Sequence, residues 1–149
     1  MTEDEQRTAE LLNELYAAQS RSLLPRLAEA HVFVSGACAE DLEHVRRMIA
    51  EEGEHRAWLA EAIGQAAGSV YPVWADPATG HLHYLALPAL LPRVLGNMEQ
   101  LARLYSEAPA RCQGLLPEAA DLITRITRRH REHLEQLRQI QQRMSAQPA

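Results

Sequence analysis

The chain has 149 residues and a net charge of −5, and 46% of it is hydrophobic while only 5% is aromatic. That length fits one domain with a real core, and the composition suits helices packed through Leu, Ala and Ile better than a β-sandwich. The acidic balance makes nucleic acid an unlikely partner, the apolar runs are too short to cross a bilayer, and Cys38 and Cys112 show no zinc or redox spacing, so a soluble cytoplasmic protein is expected.

The first helix is expected from about Glu3 to Val34. Thr2-Glu3-Asp4-Glu5 has the pattern of a capping box, and Leu12, Leu15, Gln19, Leu23, Leu27 and Ala30 recur at helical spacing. Pro25 removes a hydrogen bond and crowds the carbonyl four residues earlier, so a kink is expected one turn back. Ser35-Gly36 marks a turn. The second helix follows from about Glu40 to Ile63, with a stripe of Val45, Met48, Glu52, His55, Leu59 and Ile63. Residues 69–88 differ. "VYPVW" and "HLHYLAL" are short β-prone runs around "ADPATG", and read as a small β-hairpin or ordered loop inserted between helices. The third helix should start at Pro88 or Pro92 and run to about Glu107 through Leu91, Leu95, Met98, Ala102 and Tyr105. Pro109 and Gly114 break the chain. The fourth runs from near Pro117 to about Met144, with Leu122, Ile126, His130, His133, Leu137 and Ile140 on one face, and the tail at 145–149 is expected to fray. The whole reads as one all-α domain over residues 1–149, a four-helix bundle of two αα-hairpins.

Polar residues interrupt these apolar stripes. In a helical hairpin, residues equidistant from the turn lie at one height. Gln19 and Glu52 flank Ser35-Gly36 equally, and Glu99 and His130 flank Gly114-Leu115. Each hairpin is therefore expected to carry one polar level: Gln19, Glu52 and His55 in the first, and Glu99, His130 and His133 in the second. "EGEHRAWL" and "HREHLEQL" also align as a weak internal repeat, Glu52 over His130 and His55 over His133. Buried carboxylates and imidazoles are costly unless paired or bound to metal, and a metal ion is the simplest common partner for them.

This pattern resembles the ferritin-like superfamily, the group of rubrerythrin and bacterioferritin. Its members place one Glu on the first helix, Glu-x-x-His on the second, one Glu on the third and Glu-x-x-His on the fourth. "EEGEH" followed by "WL" resembles the second-helix motif, and "LLNELYAAQSRSLLPRLAEA" a first helix with Gln19 in the glutamate position. Glu99 falls at the third-helix position and His133 at the second histidine, while His130 stands where a glutamate belongs. The resemblance implies a metal-binding bundle. Two carboxylates, Glu52 and Glu99, are too few for a standard di-iron site. A single Zn, Fe, Mn or Cu ion is expected instead, with an altered dinuclear site as the lesser alternative, on His55, His130 and His133 with Glu52 or Glu99, and Gln19 behind them. No organic cofactor is expected, and whether the site is catalytic, and on what substrate, is left open by the residues. The competing reading is a non-catalytic bundle with a vestigial, hydrogen-bonded site. Apolar positions outside the stripes, at Leu11, Leu24, Leu90 and Leu104, lead to the expectation of a homodimer.

Overall fold

A computed structural model describes residues 1–26, 39–73 and 87–146, and these are helical apart from short connections. In chain order they form α1 (Glu3–Arg21), α2 (Leu23–Arg26), α3 (Ala39–Gln65), α4 (Leu87–Glu107), a 3-10 turn at Ala108–Arg111, and α5 (Pro117–Ala146). The described part of the fold is thus all-α.

The ends of these helices follow from local chemistry. The capping box forms as expected: Thr2 Oγ1 accepts from the Glu5 amide at 3.0 Å, and Glu5 Oε2 accepts from the Thr2 amide at 2.9 Å. Two otherwise unpaired donors are satisfied at once. The expected kink is a break. Ser22 is extended (φ −64°, ψ 147°), three residues before Pro25, whose ring would collide with the Arg21 carbonyl in a continuous helix. Ser22 Oγ donates to the Gln19 carbonyl at 2.7 Å, and the Leu23 amide donates to Asn97 Oδ1 on α4 at 2.8 Å. The freed backbone groups are thereby satisfied. α4 begins at Leu87, so Pro88 stands in its first turn and Pro92 inside it.

The C-terminus of α3 closes in a Schellman arrangement. The Gly68 amide reaches the Ile63 carbonyl at 2.9 Å, and the Ala67 amide reaches that of Gly64 at 3.0 Å. Ala67 occupies the left-handed position (φ 58°) that glycine usually fills. The glycine is displaced by one residue for a packing reason: a Cβ on Gly68 would lie 2.6 Å from the Cβ of Ala9. Beyond it, Asn13 on α1 holds the departing chain. Its amide donates to the Ser69 carbonyl at 3.0 Å, and its oxygen accepts from the Tyr71 amide at 2.8 Å. Residues 69–73 are irregular, without strand. The remainder of the expected β-hairpin, the Ser35-Gly36 turn and the end of the tail lie outside the described residues.

Side-chain pairs fix the helix directions. Gln19 pairs with Glu52 and Tyr16 with Arg56, so α1 and α3 are antiparallel. Tyr105 packs on His130 and Glu99 pairs with Arg138, so α4 and α5 are antiparallel. Arg143 pairs with Asp41 and Glu52 with His130, so α3 also runs antiparallel to α5. The core lies along the common axis. Leu12, Leu15, Met48, Leu59, Ile63, Leu91, Met98, Ile126, Leu137 and Ile140 are all at most 2% exposed. Each such side chain contributes roughly 1.5–3 kcal/mol by leaving water. Of the apolar positions outside the stripes, Leu11, Leu24 and Leu90 are buried in the same core and Leu104 packs partly buried against it. No helix among the described residues is long and apolar enough to cross a membrane.

Candidate metal centre

Midway along the bundle the apolar core is interrupted by Gln19, Glu52, His55, His130 and His133, each at most 1% exposed. α3 supplies Glu52 and His55 one turn apart, and α5 supplies His130 and His133 in the same way. The helical spacing that elsewhere delivers leucine to the core delivers these side chains to one level.

Glu52 is the hub. Its Oε2 accepts from Gln19 Nε2 at 2.6 Å and meets His130 Nε2 at 2.9 Å and His55 Nδ1 at 3.2 Å. Its Oε1 meets His133 Nδ1 at 2.7 Å. A carboxylate offers about four lone-pair sites, so these partners saturate it. Burial alone would push the Glu52 carboxyl upward. The hydrogen bonds from His130, His133 and His55 outweigh that and hold it far below the usual carboxylate range.

The histidines differ in their surroundings. His133 lies between two carboxylates, with Nδ1 on Glu52 and Nε2 on Glu51 Oε2 at 2.6 Å. Carboxylates only accept, so both ring nitrogens donate and His133 is an imidazolium. Burial works against that charge, but the bonds to Glu52 and Glu51 raise its pKa nonetheless. His130 is shifted the other way. Burial dominates over its bond to Glu52 and favours the neutral ring. Its Nε2 faces Glu52, while Nδ1 is buried with no hydrogen-bond partner. A neutral ring that donates through Nε2 leaves Nδ1 as an unpaired acceptor. His55 stacks obliquely on Trp58, with ring centroids 5.3 Å apart, and the Arg125 guanidinium lies over the outer face of that indole.

A further layer fixes the hub. The Tyr105 hydroxyl donates to Gln19 Oε1 at 2.8 Å, which turns the amide so that its nitrogen faces Glu52. Burial and the Glu52 charge both push the Tyr105 phenol well above its ordinary value, so it stays a donor. On the solvent side, Arg129 binds both Glu51 and Glu132.

Glu52, His55 and His130 offer ligand atoms that all lie within 4.8 Å of one another, and this group is able to hold a metal ion. Two imidazole nitrogens and one carboxylate oxygen fit a single divalent transition ion. Five of the six residues expected at this level are therefore brought together. Gln19 stands behind the hub as expected, and His133 joins the network as a counter-charge beside the three-residue group. Glu99 is the correction. Its side chain is 48% exposed and pairs with Arg138 on the outside of the bundle. The two observed α4–α5 pairs, Tyr105 with His130 and Glu99 with Arg138, are centred near Glu118, not Gly114. Residues between the helices run on past the end of α4 before α5 turns back, so Glu99 falls two turns from the site and Tyr105 takes its level. Tyr105, Glu51 and Arg129 were not expected here. The signal for Glu51 was the doubled acid "EE" beside the stripe, and for Tyr105 a hydroxyl within an apolar one.

Compared with protein-family models, curated proteins and solved structures, the chain matches none.

Proposed function

We propose that this chain is a metal-binding four-helix protein of the ferritin-like kind, holding one divalent transition-metal ion on Glu52, His55 and His130. The observation that carries this reading is the buried group of three donor atoms within 4.8 Å of one another. One buried carboxylate, with Gln19 in place of a second, favours one ion over two. Three protein ligands leave a coordination position for a small molecule, and there the ion supplies Lewis-acid or redox chemistry. The chain's own contribution is to fix the Glu52 carboxylate through Gln19 and Tyr105, and to exclude water by burying the cluster.

The second reading is a non-catalytic bundle in which the same side chains only stabilise one another. It is favoured by the saturated hydrogen bonding of Glu52. Elemental analysis of untagged protein purified without chelators, followed by titration with Zn²⁺, Fe²⁺, Mn²⁺ and Cu²⁺, separates the two. About one equivalent bound, lost in His55→Ala and His130→Ala but kept in Glu99→Gln, is the expected result. No bound metal and no thermal shift with any of the four would refute the first reading.

A further inference from the structure

Among the described residues, the buried cluster is joined to the surface by a continuous chain of charged side chains between α3 and α5. On the α1–α4 side it is closed by Gln19 and Tyr105, at most 1% exposed. On the Trp58 side the way is aromatic, and the Arg125 cation covers the indole at 5.4 Å. Between α3 and α5, by contrast, His133 is bonded to Glu51, whose side chain is 36% exposed. Glu51 in turn shares Arg129 with Glu132, at 39% and 44% exposure. A hydrated cation gives up water stepwise and needs oxygen or nitrogen donors along the way. On this face such donors stand in direct contact with a buried member of the cluster, from His133 through Glu51 to the surface.

We propose that Glu51, Glu132 and Arg129 form the gate through which a metal ion reaches the buried group, with Arg129 acting as a tethered, displaceable cation. The argument is one of charge and reach. The Arg129 guanidinium occupies the point between two carboxylates where an approaching dication would be held most strongly. It is on a flexible stem at the surface, so it can swing out at little cost. Once it does, the two carboxylates attract the ion at the mouth of the α3–α5 seam, where Glu51 lies against the buried His133. Arg129 is a positioning residue here, because it touches none of the three ligands. The inference rests on the metal reading above, and its test separates the two.

The test is stopped-flow uptake of Zn²⁺ by metal-free protein in competition with a chromophoric chelator, with equilibrium stoichiometry measured in parallel. Arg129→Gln is expected to raise the association rate several-fold at low salt, and to raise dissociation as well, with the stoichiometry unchanged. Glu132→Gln is expected to slow association, and Glu51→Gln to slow it more. Arg125→Gln, on the aromatic side, should leave the rate within two-fold. The gate is overturned if Arg129→Gln takes up Zn²⁺ at the wild-type rate, or if Arg125→Gln is the faster variant. Should wild-type protein bind no Zn²⁺ at equilibrium, the metal reading falls and the gate with it.

Discussion

Replacing Glu52 by glutamine changes one oxygen to an amide nitrogen and removes the charge, with almost no change of volume. In the native core that carboxylate meets Gln19, His55, His130 and His133. Glutamine keeps a single acceptor oxygen and turns an N–H₂ group toward the remaining donors. On either orientation at least one charge-assisted bond is lost and one donor faces another. Hydrogen bonds to charged groups contribute roughly 1.5–3 kcal/mol each. The buried His133 imidazolium also loses its inner counter-charge and keeps only Glu51. Removing one member of a buried ion pair costs about 3–5 kcal/mol. These two estimates describe overlapping losses, so they are not added. We expect Glu52→Gln to destabilise the metal-free protein by about 3–5 kcal/mol, against the ~5–15 kcal/mol typical of a whole domain. The corresponding fall in Tm is roughly 6–20 °C. The assay is urea unfolding followed by far-ultraviolet circular dichroism at neutral pH in chelator. Glu99→Gln, on the half-exposed face, serves as control and should cost under about 0.5 kcal/mol. A double-mutant cycle with His133→Gln should show coupling above about 1 kcal/mol. A Glu52→Gln protein within about 1 kcal/mol of wild type, with an unchanged m value, would refute the ionised hub.

The metal-free protein should show a shallow stability profile near neutrality and a steep loss in acid. His133, raised in the fold, contributes stability below ~6.5 that fades as pH rises through its folded value, whereas His130, lowered in the fold, costs stability below ~6.5 because only the unfolded chain takes up that proton. The two oppose each other, so the decisive group is Glu52, whose contribution is present above ~4.3 and is lost as pH falls below it. Urea midpoints that rise on acidification through pH ~4 would contradict this assignment. At the end of α3, Ala67→Gly should stabilise by about 0.5–1 kcal/mol by relieving a left-handed alanine, and Gly68→Ala should destabilise by at least 1 kcal/mol (roughly) through its clash with Ala9. Calorimetric melts of the two variants check the pair, and equal effects of the same sign would dismiss the close-approach explanation.

Much of the site was legible in the sequence because helical periodicity is a strong local signal. The stripe Val45, Met48, Glu52, His55, Leu59, Ile63 is buried along its whole length, and so is Leu122, Ile126, His130, His133, Leu137, Ile140. The pairing of Gln19 with Glu52, read from their equal distances to Ser35-Gly36, is also found, although α1 breaks at Ser22. The same reasoning misplaced Glu99 because it assumed that the chain reverses at Gly114. A 3-10 turn rises ~2.0 Å per residue against ~1.5 Å for an α-helix. The Ala108–Arg111 turn and the residues after it carry the chain differently from a continuous α-helix, and the register of α4 against α5 differs from the expected one by about two helical turns. Loop geometry of this kind leaves no periodic trace. Nor does the contact of His133 with Glu51, which reaches it from the neighbouring helix.

Charge balance ties the hub to its gate. The carboxylates of Glu51, Glu52 and Glu132 face two cations, the His133 imidazolium and the Arg129 guanidinium, so the metal-free network carries one net negative charge. With a divalent ion bound, the same groups would carry one net positive charge. Loss of a single proton restores neutrality, and His133 is the group placed to release it, since Glu51 connects it to solvent. Under the proposed reading, proton and metal ion compete for the same carboxylate, and affinity should fall as the pH drops below the histidine range. Two ions would exceed what the buried carboxylate and its neighbours can neutralise. Gln19 strengthens that limit, because Tyr105 fixes its amide with the N–H₂ group toward Glu52, where a second cation would need an acceptor. Under the proposed reading, an amide at position 19 in place of an acid thus limits both the charge of the core and the number of ions it would hold.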